Sequence, residues 1–339
     1  VWLFVWGFVV FSHAGPQVVF QDYYGNRRAL EKPADRVVAI PKPAPAMFMA
    51  VDGSSKKMVG MHPSSMAAIR EGILKKMFPD ALNISSDIGN KGNYVPNIEQ
   101  MLRLKPDIVF QWGNKGMGIV DPIKNAGMKV AMVKYGNQQA LETMLNAFGA
   151  VAGKSEKSRQ IIDWHRATLA SLKTKTAGLD PAHKPRVLFF IRALSSLKVA
   201  GSNTYHSQCI DIAGGTNPAA GLTGYKVVSP EQIMAWDPQV IFLNNFESAL
   251  SPEDIYRNPF LADISAVKNK RVYRAPLGGY RWDPPNQESP FMWKWLAMVF
   301  HPGTLKWDIR EEMKQKYQFL YQYQLSEDEI DSILRVKMN

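Results

Sequence analysis

The feature that most constrains the fold of this chain is a pattern that occurs twice. It covers residues 99–110 and 231–242, and in both copies a glutamate stands seven residues before a proline. An amphipathic segment that is stopped by proline and followed by an apolar run predicts a short helix leading into a buried strand. One repetition over so long an interval indicates two similar lobes, because a solenoid needs several short repeats. The alternative is that the two copies are unrelated, because helix–proline–strand units are common in α/β proteins. The glutamate at the same distance from the proline favours a repeat, since packing does not require it.

Strand-like and helix-like segments alternate along the rest of the chain. Apolar runs at 37–40, 108–110 and 130–133 are separated by segments with helical character, and the same order resumes with the run at 187–191. This alternation predicts α/β lobes built on parallel sheets. Between the two sets of strands, residues 139–177 contain no proline and predict two helices, the second and longer one starting at Ser155 and ending near Lys175.

The first residues predict export from the cytoplasm. Residues 1–14 form an apolar run that ends in Ser12-His13-Ala14, which offers small residues at the positions that precede a signal-peptidase cleavage site. The run is shorter than the ~20 residues that a membrane-spanning helix needs. A signal peptide remnant and a soluble periplasmic protein are therefore expected. The single cysteine, Cys209, excludes an intramolecular disulfide and a cysteine-based metal site.

The excess of basic over acidic residues indicates which kinds of binding partner to expect. The chain has 41 Lys and Arg residues against 30 Asp and Glu residues, a formal net charge of +11. Such a balance suits nucleic acid, an anionic surface or an anionic ligand. The basic residues are dispersed and no recognition motif for nucleic acid occurs, so a nucleic-acid partner is not expected.

Candidate ligand contacts lie where predicted strands end, because open α/β sheets bind ligands at the carboxyl ends of their strands. The loops at these places mix cations with aromatic side chains. Arginine suits oxyanions, and Tyr and Trp add flat apolar faces. An anionic ligand is predicted. The expected contacts are Lys42, Tyr94, Trp112, Asn114, Arg192, Tyr205, Tyr280, Arg281 and Trp282, and the same loops carry Lys115 and His206.

The sharpest local signal is the segment Tyr280-Arg281-Trp282, which follows two glycines and precedes two prolines after Asp283. A loop bounded in this way predicts a ligand clamp. The alternative is that Trp282 packs in the core and that Arg281 pairs with Asp283 or a surface acid. For Arg192, which follows an apolar strand, the alternative is an ordinary surface cation.

No catalytic or metal-binding pattern emerges. The six histidines show neither an i, i+4 pair nor a glutamate partner motif. The chain has no nucleophile elbow and no complete phosphate-binding or dinucleotide-binding fingerprint. We therefore expect no catalytic residue, no metal held by the protein and no covalently bound cofactor. An exported hydrolase is the alternative from a different functional class.

The chain resembles the class III periplasmic substrate-binding proteins of ABC importers. Residues 96–109 match their Pro-Asn-Ile-Glu…Lys-Pro-Asp-Ile-Val motif, and residues 213–217 resemble a turn of the same family. The resemblance implies two Rossmann-like lobes that are joined by a single long spanning helix, with the ligand cleft between them. It places the N-terminal lobe at 15–153, the spanning helix at 154–177 and the C-terminal lobe at 178–339.

The resemblance also implies a partner and a range of ligands. In this family one glutamate from each lobe meets arginines of an inner-membrane permease, and Glu99 and Glu231 take those places here; the alternative is a solvated helix surface. A ferric siderophore or similar iron chelate is the first expected ligand, and molybdate or tungstate is the alternative. Haem, cobalamin and a nickel chelate stay open. A monomer is expected.

Overall fold

The computed structural model describes residues 17–89 and 92–339. The signal peptide predicted over residues 1–14 lies outside the described residues. Within them, no helix combines the length and apolar character that crossing a membrane requires.

The N-terminal half consists of a hairpin and an alternation of strands and helices. In chain order its elements are β1 (Val18–Gln21), β2 (Arg27–Leu30), β3 (Val37–Ala39), α1 (Ala44–Asp52), β4 (Met58–Met61), α2 (Pro63–Glu71), α3 (Leu74–Met77), α4 (Ile98–Arg103), β5 (Ile108–Trp112), α5 (Asp121–Asn125), β6 (Val130–Val133) and α6 (Gln138–Ala152). The strand order is β4-β3-β5-β6, with parallel pairing throughout. The carboxyl ends of β3 and β5 therefore lie at the same edge of the sheet.

One long helix, α7 (Ser155–Ala177), follows the N-terminal half. It begins at the predicted residue and ends two residues beyond the predicted end. Its 23 residues extend over about 35 Å at 1.5 Å per residue. The helix buries an apolar stripe and also four polar residues, among them His165.

The C-terminal half repeats the alternation and ends in helices. In chain order its elements are β7 (Val187–Arg192), β8 (Lys198–Ala200), α8 (Tyr205–Ile212), β9 (Tyr225–Val227), α9 (Pro230–Trp236), β10 (Val240–Leu243), α10 (Pro252–Tyr256), α11 (Ser265–Lys268), β11 (Val272–Arg274), α12 (Ser289–Phe300), α13 (Ile309–Tyr321) and α14 (Glu327–Leu334). The strand order is β11-β10-β7-β8-β9. The mixed α/β class predicted from the sequence is confirmed.

The second sheet is not parallel throughout. Strands β7, β10 and β11 pair in parallel, whereas β8 pairs antiparallel with both β7 and β9. Only residues 193–197 connect β7 to β8. So short a connection permits antiparallel pairing alone, because a parallel crossover needs a dozen residues or more. The sequence patterns did not reveal this antiparallel edge.

Both copies of the repeat fold in the same way. Helices α4 and α9 carry Glu99 and Glu231 in their first turns. The residue directly before each proline is left-handed, with φ of 45° at Lys105 and 40° at Asp237. A left-handed residue ends a helix by turning the chain, and the proline prevents the helix from resuming. Strands β5 and β10 then start two residues after the prolines.

The two halves share one hydrophobic core. Val187 and Phe189 of β7 belong to a cluster that continues through α7 and α12–α14 to the N-terminal sheet, whereas Leu188 and Phe190 pack in a second cluster. Alternate residues of a strand point to opposite faces of the sheet. One face of β7 therefore packs in the core that the two halves share, and the other face packs in a core within the C-terminal half.

We expect Phe190→Ala to lower the free energy of unfolding by about 3–5 kcal/mol, the usual loss when a buried aromatic ring is truncated. Phe190 is fully buried, whereas Phe260 is 65% exposed. The matched control Phe260→Ala should therefore change stability by no more than about 0.5 kcal/mol. Denaturant unfolding measures both, and equal losses would contradict the placement of Phe190 in a close-packed core.

Candidate functional site

Four cationic side chains converge at the carboxyl ends of the parallel strands. Lys42 and Lys115 follow β3 and β5, Arg192 ends β7, and Arg281 lies in the loop after β11. Burial lowers the pKa of Lys42, and repulsion by Arg281, Arg192 and Lys115 lowers it further. Ring-to-cation distances place these four charges, two from each half, in one region, which we call the cation cluster.

The ring of Phe246 lies close to three of these cations. The distance to its ring centre is 5.9 Å from Lys42 Nζ, 6.0 Å from Arg192 Cζ and 5.3 Å from Arg281 Cζ. A cation within about 6 Å of an aromatic ring centre is attracted to the ring. Phe246 therefore offsets part of the repulsion within the cation cluster.

The ring of Tyr94 likewise attracts cations of the cluster, in this case the two from the N-terminal half. Its ring centre lies 5.7 Å from Lys42 Nζ and 5.1 Å from Lys115 Nζ. The Trp112 ring packs edge-on against Tyr94 at 5.6 Å and lies 5.8 Å from Lys115 Nζ. Asn114 is exposed on the same loop as Lys115. The structure thus brings together three of the residues predicted as ligand contacts, Lys42, Tyr94 and Trp112.

Two consecutive asparagines after β10 place Phe246, which the sequence reasoning missed. The Asn244 side chain donates to the carbonyl of Phe190 at 3.0 Å and accepts from the backbone N–H of Phe246. The next residue, Asn245, donates to the Asp283 carboxylate at 3.0 Å. Asparagine commonly makes such turns through its own side chain. An Asn-Asn pair directly after an apolar strand was the signal that could have identified this loop.

Arg281 bridges the two halves. It is only 5% exposed, and its guanidinium donates to the Glu71 carboxylate of α2 at 2.8 Å. Arg281 therefore pairs with an acid, as the alternative had it, and that acid is Glu71 instead of Asp283. It belongs to the cation cluster at the same time. The Nε atom of Arg281 is buried and has no hydrogen-bond partner within the part of the chain that the structure describes. One donor of this arginine is thus already used, and another is unpaired.

Two further buried donors beside the cluster lack a hydrogen-bond partner among the described residues. They are the Tyr280 hydroxyl and the Trp112 indole N–H, on side chains that are 1% and 6% exposed. Burial raises the pKa of Tyr280, so its hydroxyl keeps its proton at neutral pH. Because buried polar groups normally have partners, these donors and the Nε of Arg281 are suited to an oxygen-rich anion.

Trp282 and Tyr205 lie in the core and not in the cation cluster. Trp282 is fully buried, stacks on Phe291 at 5.4 Å and donates through Nε1 to Glu288 at 2.6 Å. The Tyr205 hydroxyl donates to Ser289 at 2.8 Å. Both side chains are buried, and their polar atoms form hydrogen bonds with other buried residues. They therefore pack in the core, which for Trp282 is the alternative given above.

A surface recess of about 460 Å³ lies at the opposite edge of the N-terminal sheet. It is lined by segments that precede β3, β5 and β6, including Lys32, Lys105 and Asp107. The Asp107 carboxylate accepts from the backbone N–H groups of Asp35 and Arg36, both at 2.8 Å. This recess has a structural acid in its wall, and none of the described residues that line it carries a buried donor without a partner, so its volume does not make it the better site.

Glu99 and Glu231 are both exposed in the first turns of their helices. Glu99 forms an ion pair with Arg103 one turn later. Hydrogen bonds from Ser229 and from its own backbone N–H lower the pKa of Glu231, which keeps it ionised. Both carboxylates are accessible from solvent.

Comparisons with known proteins agree with this architecture. A model of the periplasmic binding protein family matches residues 75–277. A periplasmic solute binding protein from Veillonella parvula, known from its crystal structure, is 34% identical with a TM-score of 0.87, over 95% of this chain and 98% of that one.

Two curated relatives show which ligands occur among similar proteins. The molybdate-binding protein MolA of Haemophilus influenzae is 25% identical over 245 residues, which are 66% of this chain and 70% of MolA. The Fe(3+)-citrate-binding protein YfmC of Bacillus subtilis is 21% identical over 242 residues, 66% of this chain and 74% of YfmC.

The family match covers well over half of the chain, from α3 to the loop that carries Arg281. It includes both copies of the glutamate–proline repeat. The chain therefore belongs to the periplasmic binding protein family, as a class III substrate-binding protein of ABC importers.

Proposed function

We propose that this protein captures an anionic metal complex in the cleft between its two halves and delivers it to the permease of an ABC importer. The observation that supports this function best is the cation cluster, which gathers four positive charges around two aromatic rings. Glu71 pairs with one of these charges. An anion that enters the cleft supplies the negative charge that the cluster lacks.

An iron chelate with free carboxylates, in the class of ferric siderophores and ferric citrate, is the first candidate ligand. Arginine and lysine bind its carboxylates, and the faces of Tyr94 and Phe246 accept the apolar parts of a chelator. The relative named as an Fe(3+)-citrate-binding protein supports this candidate. The iron in such a ligand is held by the chelator, so no protein side chain need coordinate it.

Molybdate or tungstate is the second candidate because the cation cluster is compact. Three cations lie within 6.0 Å of a single ring centre, and the unpaired donors of Tyr280, Trp112 and Arg281 lie beside them. A small tetrahedral oxyanion presents acceptors in several directions at short range. The relative named as a molybdate-binding protein supports this candidate.

The exposed carboxylates of Glu99 and Glu231 are proposed to dock on arginines of the permease, one from each half. Arg–carboxylate bonds are directional and suit a repeated, symmetric contact. In this proposal the protein acts in the periplasm as a monomer and catalyses no reaction; the relatives named as binding proteins support a role in capture.

Titration of the protein with ferric citrate, molybdate and tungstate, followed by tryptophan fluorescence, should give a saturable response because Trp112 lies beside the cluster. Saturation by ferric citrate supports the first candidate. Saturation by the oxyanions alone selects the second. A flat response to all three, confirmed by calorimetry, would contradict an anion site at this cluster.

We expect Arg281→Ala to weaken binding of the saturating ligand by about 1.5–3 kcal/mol, the range for hydrogen bonds to charged groups. This corresponds to roughly 10–150-fold in Kd. Arg257→Ala is the matched control, because it removes the same charge from an exposed residue paired with Glu253. Calorimetric titration measures both, and equal Kd values for the two variants would remove Arg281 from the site.

The double variant Glu99→Ala, Glu231→Ala should abolish ligand uptake by cells while ligand affinity in solution is retained. The control Glu156→Ala, Glu253→Ala removes two other exposed glutamates that also form local ion pairs, and uptake should persist. Normal uptake by the first double variant would refute docking through these residues.

A further inference from the structure

The buried carboxylate of Glu288 lies behind the loop that carries Arg281 and accepts hydrogen bonds from four donors. Gly279 N–H donates to it at 3.0 Å, Trp282 Nε1 at 2.6 Å and the Tyr317 hydroxyl at 3.1 Å; the Tyr321 hydroxyl is the fourth donor. Glu288 is fully buried. Charge-assisted bonds of this kind are about twice as strong as neutral ones, so Glu288 ties the start of its own loop to helix α13.

The two glycines at the start of the loop are required by this carboxylate. A Cβ on Gly279 would lie 2.6 Å from Glu288 Oε1 and would overlap the Tyr321 hydroxyl. A Cβ on Gly278 would overlap Glu288 Oε2 and the Tyr317 hydroxyl. The Gly-Gly pair that marks this loop in the sequence therefore reflects the close approach of the backbone to a carboxylate.

The loop between Gly278 and Glu288 holds Arg281 in place from both sides. Gly278 N–H donates to the carbonyl of Tyr280 at 3.0 Å, and Leu277 forms a backbone bridge with Arg281. Asn286 donates to the carbonyl of Arg281 at 2.8 Å. Glu288 N–H donates in turn to the Asn286 side chain at 2.7 Å. A ring of hydrogen bonds that starts and ends at Glu288 therefore positions the backbone of Arg281.

Support for this ring comes from outside the loop as well. Gln287 donates to the Tyr321 hydroxyl at 2.7 Å, and His165 of α7 donates to the carbonyl of Gln287 at 3.1 Å. The Tyr321 ring also contacts Phe78 of the N-terminal half, with ring centres 6.1 Å apart. The position of the loop therefore depends on both halves and on the long helix.

We propose that Glu288 is a positioning residue for the ligand: its carboxylate sets the path of residues 278–282 and thereby the place where Arg281 presents its guanidinium. The inference rests on the proposed function, because it assigns Arg281 to the ligand. Glu288 does not touch the ligand and acts through the loop.

Burial raises the pKa of Glu288 to about 7, although its four hydrogen bonds act in the opposite direction. The tyrosines that donate to it and the histidine bonded to its neighbour Gln287 stay neutral near this pH, whereas Arg281 stays charged throughout. Burial raises the pKa values of Tyr317 and Tyr321 well above their usual range, and it lowers that of His165 to about 4. Glu288 is therefore the group of this ring whose charge changes between pH 6 and pH 8.

Protonation of Glu288 has opposite effects on affinity and on stability. A neutral carboxyl accepts weaker hydrogen bonds, so the loop is held less firmly and ligand affinity should fall as the pH drops from 8 to 6. The folded-state pKa lies above the ordinary value of 4.5. The contribution of Glu288 to stability is therefore fully present below pH 4.5 and is lost as the pH rises through about 7.

The experiment measures Kd and Tm for the wild type, Glu288→Gln and Tyr321→Phe at pH 6 and pH 8, with the probe that saturates the wild type, ferric citrate or molybdate. We expect both variants to bind at least about tenfold more weakly at pH 8 while they remain folded. Between pH 8 and pH 6 the wild type should lose affinity and gain stability. Glu288→Gln should change less in both respects. Tyr323→Phe, which removes a hydroxyl bonded to Glu329 instead, is the matched control and should bind normally.

Three results would overturn the inference. Lower Tm with unchanged Kd in both variants would give Glu288 a purely structural role. Stronger binding by the wild type at pH 6, absent in Glu288→Gln, would mean that Glu288 acts as a repelling charge. Should Glu288→Gln fail to fold, Tyr321→Phe alone decides, and a normal Kd there refutes positioning. A wild type that binds neither probe instead contradicts the proposed function.

Discussion

Repulsion between like charges with little water around them is the interaction on which the site depends. Two unit charges 4 Å apart repel by about 1 kcal/mol in water and by about 4 kcal/mol near a protein surface. The ring of Phe246 lies within about 6 Å of Lys42, Arg192 and Arg281. These side chains stay close together because they follow the carboxyl ends of parallel strands, and a shared core holds those strands in place. The rings and Glu71 compensate part of this repulsion. In the proposed function the ligand compensates the remainder, and the site would then select for negative charge before any shape is matched.

The local structure of this chain could be predicted from its sequence because it follows from short-range rules. Both copies of the glutamate–proline pattern become helix, left-handed turn and strand, since apolar periodicity and proline act over a few residues. The position of Lys42 followed for the same reason, because the carboxyl ends of parallel strands meet at one edge. The antiparallel edge formed by β8 and β9 depends on which strands become neighbours, and periodicity does not contain that information.

The inner wall of the site was harder to predict because large aromatic residues in loops can face either way. Trp282 turns inward to Glu288 and Phe291, whereas Tyr94 turns toward Lys42. Phe246 reaches the cluster only through the asparagine turn that precedes it. Glu71 meets Arg281 from a position 210 residues away. Contacts of this range depend on how the halves pack, and a single sequence does not specify that packing.

The four cations also differ in their depth, and this order has a kinetic consequence. Lys115 is exposed, Lys42 and Arg192 are half-buried, and Arg281 is almost fully enclosed. Positive charges arranged from the surface inward focus the electric field along their line, and such focusing raises association rates of oppositely charged solutes by about 10- to 1,000-fold at low ionic strength. In the proposed function an anion therefore meets the exposed Lys115 first. It then contacts Lys42 and Arg192 as it loses water, and it reaches the buried Arg281 last. Dilute, salt-poor surroundings are the conditions under which such a receptor collects its cargo fastest.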